Sequence, residues 1–274
     1  MTALTSALRG TGPALVVPIV YRLAARLEQV DLEEMLEDAA TAAFVLRSAQ
    51  GLFGLPLVVN HHQLGLELEA QGAPLPRDAQ GRPVGGDPRQ DPLSADLADA
   101  PLLRTAVDVA ARLASELRGT APVLGVLTGP ATLAFLRGGD LGGVGELYAV
   151  MARRYAEAGV AGVLLADVPG VPVVAGRDAA LAELANICRF YNVASILLAP
   201  AGDDLAGPVD LILRSEDAVP LELLAQPPDD AATDRWSGHQ GLLLTAGEVP
   251  ADADPETVTA WVDLPRSVPL GTAR

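Results

Sequence analysis

Short apolar runs alternate with longer amphipathic stretches along most of this chain. Seven runs have strand length and are almost continuously apolar, which is typical of parallel strands buried on both faces of a sheet. Between them, apolar residues recur at helical spacing. The strand candidates are residues 14–20, 55–60, 122–127, 160–166, 193–199, 209–213 and 241–245. The alternation predicts an α/β protein whose parallel sheet is covered by helices.

The number of strand and helix units favours a TIM-like (β/α)8 barrel, trimmed or with an irregular eighth strand, over a doubly wound sheet. No G-x-G-x-x-G loop follows the first strand, so a dinucleotide-binding fingerprint is missing. The candidate for the eighth strand lies near Val262, and a barrel closed in another way is the alternative. One domain over residues 1–274 fits this fold. The main helical patterns cover 31–53, with Asp31 as the N-cap, 102–118, 146–158 and 178–191.

Residues 76–101 interrupt the alternation. This segment is rich in proline, glycine and aspartate and has no apolar periodicity, which predicts a long loop. It is either a lid over the ligand-binding edge of the sheet or a solvated linker without a catalytic role.

Composition narrows the classes of function. Half of the residues are hydrophobic and the formal net charge is −16, which disfavours binding to nucleic acid or to an anionic membrane surface. All 19 basic residues are arginine, so a catalytic lysine and Schiff-base chemistry are excluded. Cys188 is the single cysteine, which excludes an intramolecular disulfide. With no signal-peptide pattern and no apolar run of membrane-spanning length, we expect a cytoplasmic protein.

The stretch 124–139, LGVLTGPATLAFLRGG, predicts a strand-to-helix corner. The apolar run stops at Thr128-Gly129-Pro130, and Pro130 suits the first turn of a helix. Its GP-x-TL motif followed by GG resembles a motif of the uroporphyrinogen decarboxylase superfamily, as do VVPIV, EAQGAP, YAEAGVAGVLLAD and LLLTAGEVPADADPETV elsewhere. The resemblance implies a TIM barrel with the activity of a tetrapyrrole decarboxylase or of a corrinoid or thiol methyltransferase.

The catalytic motifs of both branches of that family are missing here. The methyltransferase branch places a zinc-ligating cysteine where this chain has Gly247, and the upstream His-x-Cys pair is also missing. The arginine-rich motif of the decarboxylase branch has no match beyond Tyr21, Arg22 and Arg26, and its late histidine would fall at Ala246-Gly247. Neither a metal nor another cofactor is therefore predicted, although a corrinoid remains open as a ligand.

Polar residues at the ends of strands are the remaining candidates for chemistry. The catalytic candidates are His61, His62 and Asp167, because an imidazole near a carboxylate can act as a general acid or base. Adjacent residues of an extended chain face opposite sides, so at most one of the two histidines points into a barrel mouth. The candidates for substrate binding, which follow other strands, are Tyr21, Arg22, Asn60, Thr128 and Glu248.

Each of these candidates has a structural alternative. Asp167 could cap a turn, and Arg22 and Glu248 could form a solvated ion pair. A metal held by His61 or His62 together with Asp167 and Glu248 is chemically allowed, but the spacing of these residues is not diagnostic.

Two classes of function follow. One is a uroporphyrinogen decarboxylase-superfamily enzyme with a rebuilt active site, acting on a small or tetrapyrrole-like substrate as a decarboxylase, lyase or methyltransferase. The other is a non-catalytic barrel that binds a corrinoid, a substrate or a partner subunit. The polar strand ends and the long loop favour the enzyme. Besides the small-molecule or tetrapyrrole-like ligand, the expected partners are a second copy of the chain or a corrinoid protein.

Overall fold

The computed structural model describes residues 3–8, 14–72, 74–85, 91–200, 202, 206–215, 217–236 and 240–267. Within these ranges the strands are β1 (Leu15–Ile19), β2 (Val58–Val59), β3 (Val123–Thr128), β4 (Gly162–Ala166), β5 (Ala194–Ala199), β6 (Leu211–Arg214) and β7 (Leu242–Glu248). The helices are α1 (Ala3–Leu8), α2 (Tyr21–Glu28), α3 (Leu32–Glu37), α4 (Ala39–Phe53), α5 (Leu66–Glu69), α6 (Pro101–Glu116), α7 (Pro130–Leu136), α8 (Val144–Glu157), α9 (Arg177–Tyr191), α10 (Asp230–Trp236) and α11 (Pro255–Ser267). Two 3₁₀-helices are described as well, Ala95–Asp99 and Leu221–Ala225.

Every pairing between these described strands is parallel. One sheet has the strand order β2-β3-β4-β5-β6, and a second sheet pairs β1 with β7. Val219 adds one parallel bridge to Thr245 on β7. The predicted parallel α/β architecture is confirmed, and each of the seven predicted runs overlaps a strand. Within the described residues, backbone pairing leaves two separate sheets and does not close a barrel.

Both faces of β3 and β4 are buried, as their apolar sequences predict. On β4, Val163 and Leu165 pack into a cluster with the helices, whereas Leu164 belongs to a second cluster. That second cluster also contains Val17 of β1 and Leu244 of β7, so the two sheets share one apolar interior. No helix in the described part of the chain is long and apolar enough to cross a bilayer.

The expectation of an eighth strand near Val262 is wrong, because this residue lies in α11. The carboxylate of Asp254 accepts a hydrogen bond from the backbone N–H of Thr257 (3.1 Å) and so caps the start of that helix. Val258, Trp261 and Val262 are buried at helical spacing. The short apolar run was ambiguous because it fits a buried helix face as well as a strand.

The predicted long helix over 31–53 is divided into α3 and α4. Asp38 has an extended backbone between them, and its carboxylate accepts hydrogen bonds from the backbone N–H groups of Ala40 (3.0 Å) and Thr41 (3.2 Å). The side chain of Asp31, which was expected to cap the helix, makes no capping hydrogen bond. The sequence pattern also missed α2, which begins at Tyr21 directly after β1.

Candidate functional site

The ends of several strands line one small cavity. Its volume is about 30 Å³. Because about 10–15 Å³ of such volume holds one water, the cavity has room for only a few heavy atoms. Its polar lining comes from the segments after β2 and β4, from the end of β7 and from the loop at 80–82, and its apolar lining is aliphatic. The lining residues are His62, Leu64, Gln80, Gly81, Arg82, Asp167, Val168, Pro169, Leu198, Leu221, Gly247 and Glu248.

His62 has one ring nitrogen near a carboxylate and the other without a partner. Its Nδ1 lies 3.6 Å from Oε2 of Glu248, and the side chain is 7% exposed. Nε2 is buried and makes no hydrogen bond within the described residues. A buried ring nitrogen that lacks a protein partner at a cavity can exchange a proton or a hydrogen bond with a bound molecule.

Glu248 joins the ends of β1 and β7. The backbone N–H of Arg22, in the first turn of α2, donates to Oε1 of Glu248, and Nε of Arg22 lies 3.3 Å from Oε2. The carboxylate therefore sits at the positive end of α2 and beside a guanidinium. Its side chain is 7% exposed. The expected ion pair between these two residues exists, and it is largely buried rather than solvated.

Asp167 lies directly after β4 and links that strand end to the start of α7, which follows β3. Its Oδ1 accepts a hydrogen bond from the backbone N–H of Thr132 in the first turn of α7 (2.7 Å), and the Thr132 hydroxyl accepts one from the backbone N–H of Val168 (2.7 Å). A side chain at Gly129 would collide with the Asp167 carboxylate. The glycine and the threonine of the GP-x-TL motif thus fix an aspartate that lines the cavity.

His61 faces away from this cavity. It lines a separate buried space of about 10 Å³ beneath α6, together with Asn60 and Tyr21. Its Nε2 lies 3.0 Å from the carbonyl oxygen of Val126, and its Nδ1 accepts the backbone N–H of Gln63 (3.2 Å). Both ring nitrogens therefore have protein partners, with the proton on Nε2. Burial lowers the pKa of His61 to about 3, with the neighbouring His62 contributing in the same direction.

The buried neutral ring of His61 makes stability depend on pH. An unfolded histidine titrates near pH 6.5, so between about pH 6.5 and pH 3 the unfolded chain binds a proton that the folded chain does not. Stability should fall as pH falls through this window, and His61→Gln should remove that contribution. We expect the wild type to lose about 2 kcal/mol more than the variant between pH 7 and pH 5 in urea unfolding. Equal losses in the two proteins would contradict a neutral, buried His61.

The other predicted substrate-binding residues lie in the protein interior. The side-chain amide of Asn60 donates to the carbonyl oxygen of Ala106 (2.8 Å), and its side-chain oxygen accepts the backbone N–H of Val126 (2.8 Å). Tyr21 is buried, which raises the pKa of its hydroxyl. The structure places neither residue, nor Thr128, on the cavity formed by His62, Asp167 and Glu248.

Thr128 bonds to a buried acid that the sequence analysis missed. Its backbone N–H and its hydroxyl both donate to the carboxylate of Glu67, at 2.8 and 2.5 Å. Burial raises the pKa of Glu67, although these hydrogen bonds oppose the shift. The run LELE around Glu67 resembles an ordinary amphipathic helix, so no local signal marks this glutamate as buried.

Residues 80–82 of the 76–101 loop line the cavity. Residues 76–85 form a short hairpin with one antiparallel bridge between Arg77 and Pro83. Arg77 bonds to Glu69 (2.9 Å) and to the carbonyl oxygen of Gly81 (2.9 Å), which ties the hairpin to α5. Gly81 has φ +77°, and any side chain there would collide with the Arg22 guanidinium. The glycine thus lets the hairpin tip lie directly on Arg22.

The described residues do not fit the zinc site of a methyltransferase. Among them, no three histidine, cysteine, aspartate or glutamate side chains group as metal ligands. Gly247 lines the cavity at the position where a cysteine was expected from the resemblance. Cys188 is buried, and burial raises the pKa of its thiol to about 12, which disfavours the thiolate needed for metal binding.

Comparison with known proteins shows a similarity of fold only. No protein-family model and no curated protein matches the chain. A methyltransferase from Methanosarcina mazei superposes with a TM-score of 0.74 over 97% of this chain and 98% of that chain, at 16% sequence identity. A provisionally assigned lyase/mutase from Burkholderia cenocepacia J2315 has a TM-score of 0.28 at 15% identity, over 77% of this chain and 79% of that one, and supports no conclusion. The chain therefore shares its overall fold with that methyltransferase.

Proposed function

We propose that this chain is a (β/α)8-barrel enzyme of the uroporphyrinogen decarboxylase superfamily with a rebuilt active site. The strand order supports the barrel: β2 to β6 follow one another, β1 pairs with β7, and Val219 pairs with β7 on its other side. When β1 is counted as the first of eight barrel strands and β2 to β6 as the second to the sixth, Val219 lies at the seventh position and β7 at the eighth. The apolar cluster shared by both sheets corresponds to the barrel interior.

The catalytic centre in this proposal is His62, with Glu248 and Arg22 as its supporting residues. The observation that carries the proposal is the Nε2 of His62, which is buried at the cavity and has no hydrogen-bond partner among the described residues, while Glu248 lies 3.6 Å from Nδ1. A carboxylate 3.6 Å from Nδ1 favours the ring proton on that nitrogen and leaves Nε2 as a base. Arg22 fixes the Glu248 carboxylate in position through its backbone N–H and its guanidinium.

This arrangement suits the two reaction classes that the resemblance implies. Decarboxylation or a related lyase reaction leaves a carbanion, which a protonated His62 could neutralise. Methyl transfer to a thiol requires loss of the thiol proton, which a neutral His62 could accept. With a volume of about 30 Å³, the cavity favours a small substrate, and a tetrapyrrole-like one requires the hairpin 76–85 to move.

Measuring the tautomers of the adjacent residues His61 and His62 tests the proposed catalytic centre. We expect the neutral ring of His62 to carry its proton on Nδ1 because of Glu248, and the ring of His61 to carry it on Nε2 because of the Val126 carbonyl. Ring ¹⁵N chemical shifts distinguish the two forms. In Glu248→Gln the His62 ring should move toward the Nε2–H form.

The exposed acid Asp108 on α6 gives the matched control, since Asp108→Asn should leave both rings unchanged. A wild-type His62 that carries its proton on Nε2 would remove the proposed base.

A non-catalytic binding protein is the second candidate. The observation in its favour is the loss of the family's catalytic motifs, including a glycine at position 247. Such a protein would use the same cavity and hairpin to hold a ligand, but it would produce no turnover that depends on His62.

A further inference from the structure

The hairpin formed by residues 76–85 is held together by its own hydrogen bonds. The carboxylate of Asp78 accepts the backbone N–H of Arg82 (2.9 Å) and pairs with Nε of the same residue (2.8 Å). The backbone N–H of Asp78 donates to the carbonyl oxygen of Arg82 (3.0 Å), and that of Val84 donates to the carbonyl oxygen of Pro76 (3.0 Å). Because these bonds do not involve the rest of the chain, the hairpin can move as one rigid unit.

Arg77 links this hairpin to the body of the protein. Its Nη2 donates to the carbonyl oxygen of Leu64 and to Oε1 of Glu69, both at 2.9 Å. Its Nη1 donates to the carbonyl oxygen of Gly81 at the hairpin tip (2.9 Å). Among the described residues, no other hydrogen bond or ion pair joins 76–85 to the rest of the chain. Arg77 therefore fixes the tip and anchors the hairpin at the same time.

The cavity at His62 does not admit a molecule of more than a few heavy atoms. Nε2 of His62 is buried, and the volume beside it is about 30 Å³. A larger molecule reaches this nitrogen only when part of the lining moves. Most of the other walls belong to strands of a sheet or directly follow them, whereas the wall at 80–82 is joined to the body through Arg77. The hairpin is therefore the wall that moves at the lowest cost.

The hairpin tip also touches the proposed catalytic centre. Gly81 lies directly on the Arg22 guanidinium, since a side chain at position 81 would collide with Nε, Cζ and Nη2. Arg22 in turn bonds Glu248, whose carboxylate lies 3.6 Å from Nδ1 of His62. With the tip in place, the Arg22–Glu248 pair is shielded from water, and shielding strengthens the interaction between charges. Withdrawal of the tip would expose this pair and open a path to His62 in one movement.

We propose that the hairpin 76–85 is the gate of the His62 cavity and that Arg77 is its latch. In the closed state Arg77 is bonded to Glu69 and to Leu64. In the open state these bonds are broken, and the hairpin moves away as a unit and admits a ligand to Nε2 of His62. The inference rests on the proposed function, because it describes how a ligand reaches the same cavity. Its test needs no turnover, so failure of the gate and failure of the catalytic centre are distinguishable.

Diethyl pyrocarbonate is the probe for the open state. It acylates an unprotonated ring nitrogen of histidine, and it is too large for a cavity of about 30 Å³. Modification of His62 therefore requires the gate to open. The rate at each histidine is followed in the full-length protein near neutral pH by tandem mass spectrometry, which resolves adjacent residues. His61 is the internal control, since both of its ring nitrogens are bonded and it reacts only on a general loss of structure.

Two variants break the latch from opposite sides. Arg77→Met removes all the donors of the latch, and Glu69→Gln removes the charge that Arg77 binds. Because a charge-assisted hydrogen bond is lost, we expect both to raise the rate of His62 modification about tenfold or more, with His61 unchanged. Arg153→Met breaks an exposed ion pair on α8, so it is the matched control and should react at the wild-type rate.

Three results would overturn the gate. One is an equal rate of His62 modification in the wild type, Arg77→Met and Glu69→Gln, which would show that the latch holds nothing closed. Another is a wild-type His62 that reacts as fast as the histidine of an unstructured peptide, because the cavity would then be open already. The third is a rise at His61 as large as that at His62 in both variants, which would show that Arg77 holds the fold rather than a gate.

Discussion

Leu165→Ala is expected to lower the free energy of unfolding by about 2–5 kcal/mol. Leu165 lies on β4, between β3 and β5 in the five-stranded sheet, and its side chain is fully buried against the helices. Truncation there removes apolar contacts and leaves a cavity that strands bonded on both sides cannot easily close. Urea denaturation of both proteins gives the difference directly.

Leu52 supplies the control for this substitution. It is a leucine on α4 whose side chain is 56% exposed, so Leu52→Ala should cost no more than about 0.5 kcal/mol. If the two alanine variants lost the same stability, β4 would not be a central buried strand.

The sequence predicted the sheet well because strands buried on both faces leave a strong local signal. Near-continuous apolar runs such as 122–127 and 160–166 cannot form amphipathic helices, and each contains a strand in the structure. The run near Val262 is shorter and has helical spacing, so the eighth strand was misplaced. Val219 could not be found from sequence, since a single bridge has no periodicity.

The candidate site was predicted only in part, for a physical reason. Strand ends identified His62, Asp167 and Glu248, which the structure brings to one cavity. To decide whether His61 or His62 lines the cavity, one must know where each side chain points. That direction depends on the tertiary pairing of β2. The hairpin residues at 80–82 lie in a segment without any pattern, and their place over the cavity depends on contacts such as Arg77 with Glu69.

Turnover that depends on His62 but not on His61 is the most direct test of the central claim, that the cavity at His62 is an active site. The two rings are neighbours in sequence, yet His62 lines the cavity and His61 is bonded to Val126 and Gln63 on the other side. General acid or base catalysis by a positioned side chain contributes about 10²–10⁴-fold in rate. His62→Gln should therefore lose at least about 100-fold, whereas His61→Gln should keep most of the activity where it stays folded.

The measurement uses a mixture of small amines, amino acids and carboxylates incubated with each protein in D₂O near neutral pH. Proton NMR follows the loss of any component and the replacement of its carbon-bound protons by deuterium. Since the ring of His62 carries deuterium in D₂O, this replacement reports transfer from the protein to carbon. We predict that the wild type converts at least one component, that His61→Gln converts it at a similar rate, and that His62→Gln is slower by about 100-fold or more. Equal rates in His62→Gln and the wild type would contradict an active site at His62.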